Sequence, residues 1–395
     1  MKFTTEMVSE NLRDISGSAI RDIFHLLNKP NMISFAGGNP AISALEPDVI
    51  AGLASDVLKG HGWRILQYGA TEGFAPLRES ICDFVSRVGF TTTPDKVLPT
   101  QGAQQALDLL IKATCSKSDT MLVENPTFLG ALQTMRTYGV NLVGMESDDD
   151  GVIPESVEQL IKRHNPKLIY IIPTFQNPSG KTLPLERRKA IADIANKYGV
   201  LVAEDDPYRD LRYTGTALPS IKSFDKDGWV VYMGSFSKLI SPGLRVGYAV
   251  VDDETLMRKL VIGKQSTDVH SPILNQAIVD AYLRNGLMPG HIEKICANYK
   301  IQLDHMLDKI NSFPKGVKCR HPEGGLFVWV ELPESINATK MLPEAVEKNV
   351  AYVPGTHFFF DGGRDNTMRL NFSNSEPEQI DSGMDILGKL IAAKL

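Results

Sequence analysis

The stretch MGSFSKLISPGLRVGY, residues 233–248, holds the side chains with the clearest chemical potential. Lys238 follows Ser235 and Ser237, and Arg245 comes seven positions after the lysine. Two hydroxyls and a guanidinium can together bind a phosphate group, which would leave the lysine amine for another task. The same pattern also fits a polar loop between two strands, so its interpretation depends on the rest of the chain.

Two other stretches place polar groups where a ligand could bind. In PTQGAQQALDLL, Gly102, Ala103 and Gln104 open a predicted helix. Small residues at a helix start let backbone N–H groups face an anion such as phosphate. In IIPTFQNPSG, Asn177 follows a predicted buried strand. Many helices start this way and asparagine is common in turns, so both stretches also fit a purely structural role.

An acidic run, VLVAEDDPYRDL, ends another predicted strand with Glu204, Asp205 and Asp206. A buried carboxylate there requires a fixed cation or N–H partner, because burial of an unpaired charge is costly. Neither a histidine nor a second carboxylate cluster follows at a spacing suited to metal binding. We therefore predict no metal site.

The elements that would position these residues alternate along the chain between about Gln101 and Val251. Short runs that are apolar on both faces alternate with longer amphipathic ones, which predicts an α/β fold with a mainly parallel sheet. Ligands of such sheets bind beyond the carboxyl ends of the strands, so the residues there are the candidates for a site. The predicted strands in this region are TMLVE, NLVGM, KLIYII, VLVAED, WVVYM and RVGYAVV.

After about Leu283 the pattern changes. A long helical stretch is followed by GGLFVWVEL, a helix near residues 342–348, VAYVPG and MRLNFS. This pattern predicts a smaller α+β domain beside the large one. We expect the large domain at residues 45–283 and the small domain at residues 284–395, completed by an N-terminal segment at residues 1–44.

Composition limits the function classes. The chain has 395 residues, 43% of them hydrophobic, and a formal net charge of −5. The mixed charges give no sign of a nucleic-acid or membrane partner, and no apolar run approaches the length of a membrane span. The polar N-terminus lacks the apolar core of a signal peptide. The four cysteines are far apart, so we expect them to be reduced and buried in a cytoplasmic protein.

Taken in order, QGAQQ, NPSG, EDDPY and SFSKLISPGLRVGY resemble the class I aminotransferases of the fold-type I pyridoxal 5′-phosphate (PLP) enzymes. The resemblance runs from about Ser18 to Ser373, and it implies the fold-type I architecture, with a mainly parallel, seven-stranded sheet between helices in the large domain and a smaller α+β domain. Finer features, namely ISFAGGNP, QYGATEGFAPLR and PTFQNPSG, are similar to the branch that holds 2-aminoadipate and kynurenine aminotransferases and the catalytic domains of MocR-type regulators. Such regulators carry a DNA-binding winged helix ahead of this domain, and we expect none here.

The resemblance implies PLP as the cofactor and gives the candidates their roles. Lys238 would bind PLP covalently and would later move a proton between the substrate α-carbon and the cofactor. Asp205 would pair with the pyridine nitrogen and keep it protonated. Tyr208 and Asn177 would hydrogen-bond to the 3-oxygen of the ring. The other cofactor contacts that the resemblance implies are Gly102, Ala103, Gln104, Ser235, Ser237 and Arg245 around the phosphate and Phe128 against the ring.

The resemblance also implies where the substrate binds. Arg369, in MRLNFS, matches the arginine that binds the substrate α-carboxylate, with Asn177 as its helper and a backbone N–H at Gly38. A solvated strand arginine is the alternative, although its neighbours are apolar. Arg21, in SGSAIRDIFHLL, is a candidate for the second carboxylate of glutamate or 2-aminoadipate, and its alternative is an exposed arginine paired with Asp22.

Tyr68, in LQYGATEG, would reach the phosphate bound in the other subunit, which implies an obligate homodimer with shared active sites. The expected activity is transfer of an amino group between an L-amino acid and a 2-oxo acid such as 2-oxoglutarate. The donor would be 2-aminoadipate, glutamate, or an aromatic or branched-chain amino acid. A PLP-dependent lyase or decarboxylase would use the same Lys238 and Asp205, and a non-catalytic PLP-sensing module is a further alternative.

Overall fold

A computed structural model describes residues 4–13, 15 and 31–395 of the chain. The strands of this part are, in chain order, β1 (Ile33–Ser34), β2 (Val97–Thr100), β3 (Thr120–Val123), β4 (Asn141–Gly144), β5 (Ser147–Asp148), β6 (Gly151–Val152), β7 (Leu168–Ile171), β8 (Leu201–Asp205), β9 (Val230–Ser235), β10 (Gly247–Val250), β11 (Lys318–Cys319), β12 (Phe327–Glu331), β13 (Val350–Ala351), β14 (Val353–Pro354) and β15 (Thr367–Asn371).

The α-helices of the same ranges mostly lie between these strands. They are α1 (Glu10–Arg13), α2 (Pro47–His61), α3 (Trp63–Leu66), α4 (Ala75–Ser86), α5 (Ala103–Thr114), α6 (Leu129–Thr137), α7 (Pro154–His164), α8 (Leu185–Tyr198), α9 (Glu254–Asp268), α10 (Ile273–Arg284), α11 (Met288–Asn311), α12 (Ala338–Glu347) and α13 (Pro377–Ala392).

Seven strands form the large sheet in the order β2-β10-β9-β8-β7-β3-β4. Only β10 runs antiparallel to its neighbours β2 and β9, and the remaining pairs are parallel. The predicted α/β class with a mainly parallel, seven-stranded sheet is therefore confirmed. The carboxyl ends of β7, β8 and β9 lie side by side at the centre of one sheet edge, which is where a ligand site is expected.

Helices cover both faces of this sheet, and side chains alternate between the two faces along each strand. On one face Val202 and Ile169 pack with residues of α7 and α8 such as Ile161 and Ile191. On the other face Ala203 and its strand neighbours pack with residues of α5, α6 and α9. Consecutive residues of a strand thus face different layers of helices. Glu204 therefore shares a face with Val202, and Asp205 shares the other face with Ala203.

The predicted elements differ from the observed ones in several places. NLVGM does form a strand, but β4 lies at the sheet edge and its residues are exposed or half-buried, so the expectation of burial on both faces was wrong there. Strand β2 was absent from the predicted strands. Helix α12 begins at Ala338, four residues before the predicted start at 342, and ends at Glu347. Helix α8 ends at Tyr198, and Gly199 after it has a left-handed conformation at φ 61°.

A second sheet of four antiparallel strands, β11-β12-β15-β14, carries the later part of the chain. The N-terminal strand β1 pairs in parallel with β13, so the segment near Ile33 joins this part of the fold. One hydrophobic core includes Leu77 and Tyr232 together with Phe35 and Met368. Because that core crosses the expected boundaries, the division into 45–283 and 1–44 with 284–395 stays a prediction.

No helix in the described ranges is both long enough and apolar enough to span a membrane. Cys82, Cys115, Cys296 and Cys319 are all free, as expected, but each is half-buried rather than buried.

Candidate active site

A cavity of about 260 Å³ lies beyond the carboxyl ends of the central strands of the large sheet. Asn177 follows β7, Asp205 ends β8 and Ser235 ends β9, so three neighbouring strands each supply a side chain to it. The structure brings nearly all the predicted cofactor residues to this one cavity. Its lining consists of Gly102, Ala103, Gln104, Phe128, Ile172, Asn177, Asp205, Pro207, Tyr208, Ser235, Ser237, Lys238, Pro242 and Arg245.

One end of the cavity is suited to an anion. Helix α5 begins at Ala103, with Gly102 before it at φ 76°, and because Ala103 and Gln104 line the cavity, the N–H end of the helix lies there. The Ser235 hydroxyl donates to Ser237 Oγ over 2.9 Å, and Arg245 Nη1 donates to the same oxygen over 3.3 Å. A Cβ on Gly102 would lie 2.7 Å from Arg245 Nη2, so a larger residue would displace the guanidinium, and the positive φ at this position also favours glycine.

Asp205 lies at the other side of the cavity with one oxygen bonded and one unbonded. Tyr170 donates its hydroxyl to Oδ2 over 2.7 Å, whereas Oδ1 is buried without a hydrogen-bond partner among the described residues. Burial, and to a lesser extent the neighbouring Asp206 charge, raises the pKa of Asp205 to about 7, although the Tyr170 hydrogen bond opposes this shift. Such a carboxylate is poised to accept a hydrogen bond from a cationic N–H group.

The other two acids of the run have separate partners. Glu204 faces the opposite side of the sheet, where its oxygens accept the backbone N–H groups of Ile221 and Lys222 over 2.7 and 2.8 Å. Asp206 accepts from Arg209 and from the Tyr232 hydroxyl, both over 3.3 Å. Asp205 is therefore the one acid of the three that lines the cavity.

Lys238 reaches the cavity from the loop after β9. Its Nζ donates to the backbone oxygen of Gly38 over 2.7 Å. Burial lowers the pKa of Lys238 to about 8, and the positive charges of Arg369 and Arg245 add to this effect. A lysine with a lowered pKa is neutral, and thus nucleophilic and basic, in a larger fraction of molecules near neutral pH.

Arg369 is a buried cation, with 2% of its surface exposed. Nη1 donates to Asn177 Oδ1 over 2.9 Å and Nη2 to the backbone oxygen of Ala36 over 2.7 Å, while Nε is buried without a partner in the described ranges. Its guanidinium carbon lies 4.0 Å from the ring centre of Phe327. Arg369 is therefore not a solvent-exposed strand arginine, which was the alternative role.

No carboxylate of the described residues lies within ion-pair distance of Arg369. Burial consequently lowers its pKa to about 10. Because a buried charge without a counter-ion is costly, this guanidinium is suited to bind the carboxylate of a ligand. Asn177 links it to the cavity, since its Nδ2 donates to the Tyr208 hydroxyl over 3.4 Å.

For three of the predicted residues the expected role stays untested. Tyr68 is 82% exposed and does not line the cavity of its own subunit. Its expected contact, with the phosphate bound in the other subunit, stays a prediction. Gly38 presents its backbone oxygen to Lys238, and a donor role for its N–H stays a prediction. Arg21 lies outside the described residues, so its role also stays a prediction.

Tyr170, whose hydroxyl contacts the cavity residue Asp205, was not among the residues expected from the sequence. It lies on β7 opposite Ala203 of β8, two residues before Asp205 on the same face of the sheet. The signal was present in the alternation of side chains along KLIYII and VLVAED, which puts residues two apart on one face. Ile172, Pro207 and Pro242 also line the cavity and carry no side-chain polar group that a motif could reveal.

The geometry agrees with comparisons to known proteins. The family model of aminotransferase class I and II matches residues 30–387. Aromatic-amino-acid aminotransferase 1 of Thermococcus litoralis is 39% identical over 98% of this chain and 94% of its own length. The crystal structure of a kynurenine aminotransferase from Pyrococcus horikoshii, in complex with PMP, has a TM-score of 0.93 at 37% identity and covers 99% of this chain and 98% of that chain.

A third relative is LysN, the α-aminoadipate aminotransferase of Thermus thermophilus, whose structure is complexed with N-(5′-phosphopyridoxyl)-L-leucine. It has a TM-score of 0.91 at 36% identity and covers 98% of this chain and 98% of that chain. Both of these crystal structures thus contain a form of pyridoxal phosphate. The chain belongs to the class I and II aminotransferases and uses PLP as its cofactor.

Proposed function

We propose that the cavity around Lys238 binds PLP and that the chain transfers an amino group from an L-amino acid to a 2-oxo acid such as 2-oxoglutarate. The observation that carries this proposal is that Lys238 and Arg369 reach the same short segment of backbone. The Lys238 amine donates to the backbone oxygen of Gly38 and the buried Arg369 guanidinium, which has no carboxylate partner in the described ranges, donates to that of Ala36. A compound with an α-carboxylate beside an amino or oxo group fits both.

The residues present fit PLP. Asp205 Oδ1, buried and unbonded in the described structure, would accept a hydrogen bond from the pyridine N–H. The first turn of α5, at Ala103 and Gln104, would hold the phosphate together with Ser235, Ser237 and Arg245. Phe128 would lie against the ring, and Tyr208 and Asn177 would bind its 3-oxygen.

When bound, PLP supplies an electron sink for the electron pair left at the substrate α-carbon. The work of the chain is then positioning and proton movement. Arg369 binds the α-carboxylate, and Asn177 fixes the orientation of the guanidinium. Lys238 Nζ accepts the proton of the α-carbon, which its lowered pKa allows near neutral pH.

The relatives guide the choice of substrates. They are named for aromatic amino acids, kynurenine and α-aminoadipate. We infer that this chain accepts 2-aminoadipate, glutamate and aromatic or branched-chain amino acids, and that Arg21 binds the second carboxylate of the acidic donors. Arg21→Ala should then lower kcat/KM for glutamate and 2-aminoadipate about 30- to 1000-fold more than for leucine, the equivalent of about 2–4 kcal/mol. A uniform loss across acidic and neutral donors would assign Arg21 to the fold instead.

A half-reaction tests the function directly. The holoenzyme, mixed with an amino acid in the absence of a 2-oxo acid, should lose the PLP absorption band and release one equivalent of 2-oxo acid per site. Addition of 2-oxoglutarate should restore the band and yield glutamate. Release of carbon dioxide, or turnover without an acceptor, would instead indicate a decarboxylase or lyase.

We also infer a homodimer with shared active sites. Tyr68 is 82% exposed, and Trp63 and Leu66 in the preceding helix α3 are 72% and 71% exposed. Large apolar side chains clustered at one place on a surface are typical of a protein interface. In a dimer formed through this surface, Tyr68 would reach the phosphate bound in the other subunit. We further infer a cytoplasmic location, which the four free cysteines support.

A further inference from the structure

We propose that Tyr170 is a positioning residue that fixes the Asp205 carboxylate so that Oδ1 faces the pyridine nitrogen of PLP. The proposal rests on the role proposed above for Asp205. It assigns a function to a buried tyrosine whose hydroxyl the catalytic scheme does not otherwise use.

The contact is short and fully enclosed. The Tyr170 hydroxyl donates to Asp205 Oδ2 over 2.7 Å, and Tyr170 is 0% exposed while Asp205 is 6% exposed. Oδ1 has no partner among the described residues. One hydrogen bond at one oxygen therefore restricts rotation of the carboxylate and leaves the second oxygen for a ligand in the cavity.

The strand register explains why a tyrosine reaches this acid. Strands β7 and β8 are parallel neighbours, and Tyr170 lies opposite Ala203. Asp205 lies two residues beyond Ala203 on the same face of the sheet, a diagonal distance of about 7–8 Å between the two backbones. A tyrosine side chain spans that distance, whereas a shorter polar side chain at position 170 would not.

Charges around Asp205 make the hydrogen bond important. Asp206 is its neighbour in the chain, Glu124 follows β3 two strands away, and Tyr208 lies three residues on. Burial and the Asp206 charge favour the protonated form of Asp205, and the Tyr170 hydroxyl is the group that favours the ionised form. Without that hydroxyl, neither oxygen would accept a hydrogen bond from the described residues, and the pKa of Asp205 would rise further.

The test is the dissociation constant of PLP, measured by equilibrium dialysis of the Tyr170→Phe variant between pH 5.5 and 9. We expect the constant to increase about 10-fold at pH 7, and the pH below which binding weakens to move up by about one unit. In steady-state assays of the same holoenzyme, kcat should fall while KM for the amino acid changes little, because Arg369 is untouched.

Tyr232→Phe is the matched control. Tyr232 is also a buried strand tyrosine, 1% exposed, and its hydroxyl is bonded to Asp206 rather than to Asp205. This variant should bind PLP within 2-fold of the unchanged protein and keep its pH profile. If Tyr170→Phe binds PLP as the unchanged protein does, or if Tyr232→Phe shows the same shift, the proposal is wrong.

Asp205→Asn separates this inference from the proposed function. If Asp205→Asn leaves PLP binding and turnover intact, the role of Asp205 itself is wrong and Tyr170 has nothing to position. If Asp205→Asn is damaging and Tyr170→Phe is not, only the present inference fails. Should Tyr170→Phe lower the thermal stability of the apoprotein, the double variant decides. The proposal requires that Tyr170→Phe adds no further weakening of PLP binding in the Asp205→Asn background.

Discussion

Three adjacent acids at the end of β8 perform three different tasks. Glu204 holds the backbone of Ile221 and Lys222, Asp205 lines the cavity, and Asp206 contacts Arg209 and Tyr232. The division follows from the alternation of side chains in a strand, which sends Glu204 to the opposite face. The three-residue run EDD thus contains one side chain that lines the cavity and two that contact other parts of the protein.

This division predicts different consequences for the corresponding amides. Asp205→Asn should lower kcat at least about 100-fold, because a neutral amide cannot keep the pyridine nitrogen protonated. Glu204→Gln should leave kcat nearly unchanged but lower the free energy of unfolding by about 1–3 kcal/mol, because its amide nitrogen cannot accept the second backbone N–H. Steady-state kinetics of both variants measure kcat, and urea unfolding measures the free energy of unfolding. Equal losses of kcat would show that the roles are misassigned.

At the scale of elements, the site depends on where strands and helices end. The carboxyl ends of β7, β8 and β9 and the start of α5 converge on one cavity. The sequence predicted most of these ends, because buried parallel strands and amphipathic helices have strong and distinct periodicities. It missed β2, whose four residues VLPT are too short and carry a proline, and it overstated the burial of the edge strand β4.

The start of α5 offers a prediction on phosphate binding. Gly102→Ala should weaken PLP binding about 10-fold, because a Cβ would lie 2.7 Å from Arg245 Nη2 and the residue has φ 76°. Gly243→Ala is the control, since Gly243 lies in the same region and its nearest neighbour, Ser241 Oγ, would be 3.6 Å from the new Cβ. Equilibrium dialysis with PLP compares the two. Similar affinities for both variants would exclude this helix start as the phosphate site.

The end of β3 gives a prediction on pH dependence. Burial raises the pKa of Glu124 to about 8, although Ile172 N donates to its carboxylate over 2.8 Å. The pKa of Glu124 in the folded protein is above its unfolded value of about 4.3. The stabilisation by Glu124 is therefore complete below about pH 4.3, declines as the pH rises, and is lost above about pH 8. Glu124→Gln, which keeps the acceptor oxygen, should flatten the decline in apoprotein melting temperature over this range. Parallel curves for the two proteins would contradict this.

At the scale of the whole molecule, residues distant in sequence must meet. Arg369 on β15 contacts Asn177 after β7 and Ala36 near the N-terminus, and Lys238 contacts Gly38. Local patterns carry no information on such long-range contacts, so Arg369 could be assigned only through resemblance to a family. For Tyr170 the alternation along each strand was visible in the sequence, but the strand register that brings it to Asp205, 35 residues away, was not.

The proposed sharing of active sites between two subunits is also a property of the whole molecule. Tyr68→Phe and Lys238→Ala homodimers should both have low activity. Hybrids formed by unfolding and refolding a mixture should regain it, because one of their two sites combines an intact Lys238 with an intact Tyr68 from the other subunit. Gel filtration gives the assembly state and the half-reaction gives the activity. Hybrids as inactive as their parents would place Tyr68 outside the neighbouring site.

The central claim of this account is that Lys238 carries PLP and moves the proton. Borohydride reduction of the holoenzyme, followed by digestion and mass spectrometry, should find the reduced cofactor on Lys238 and on no other lysine. The Lys238→Ala protein should still bind PLP through the phosphate site while losing nearly all turnover. A label on a different lysine, or full turnover by Lys238→Ala, would contradict the account.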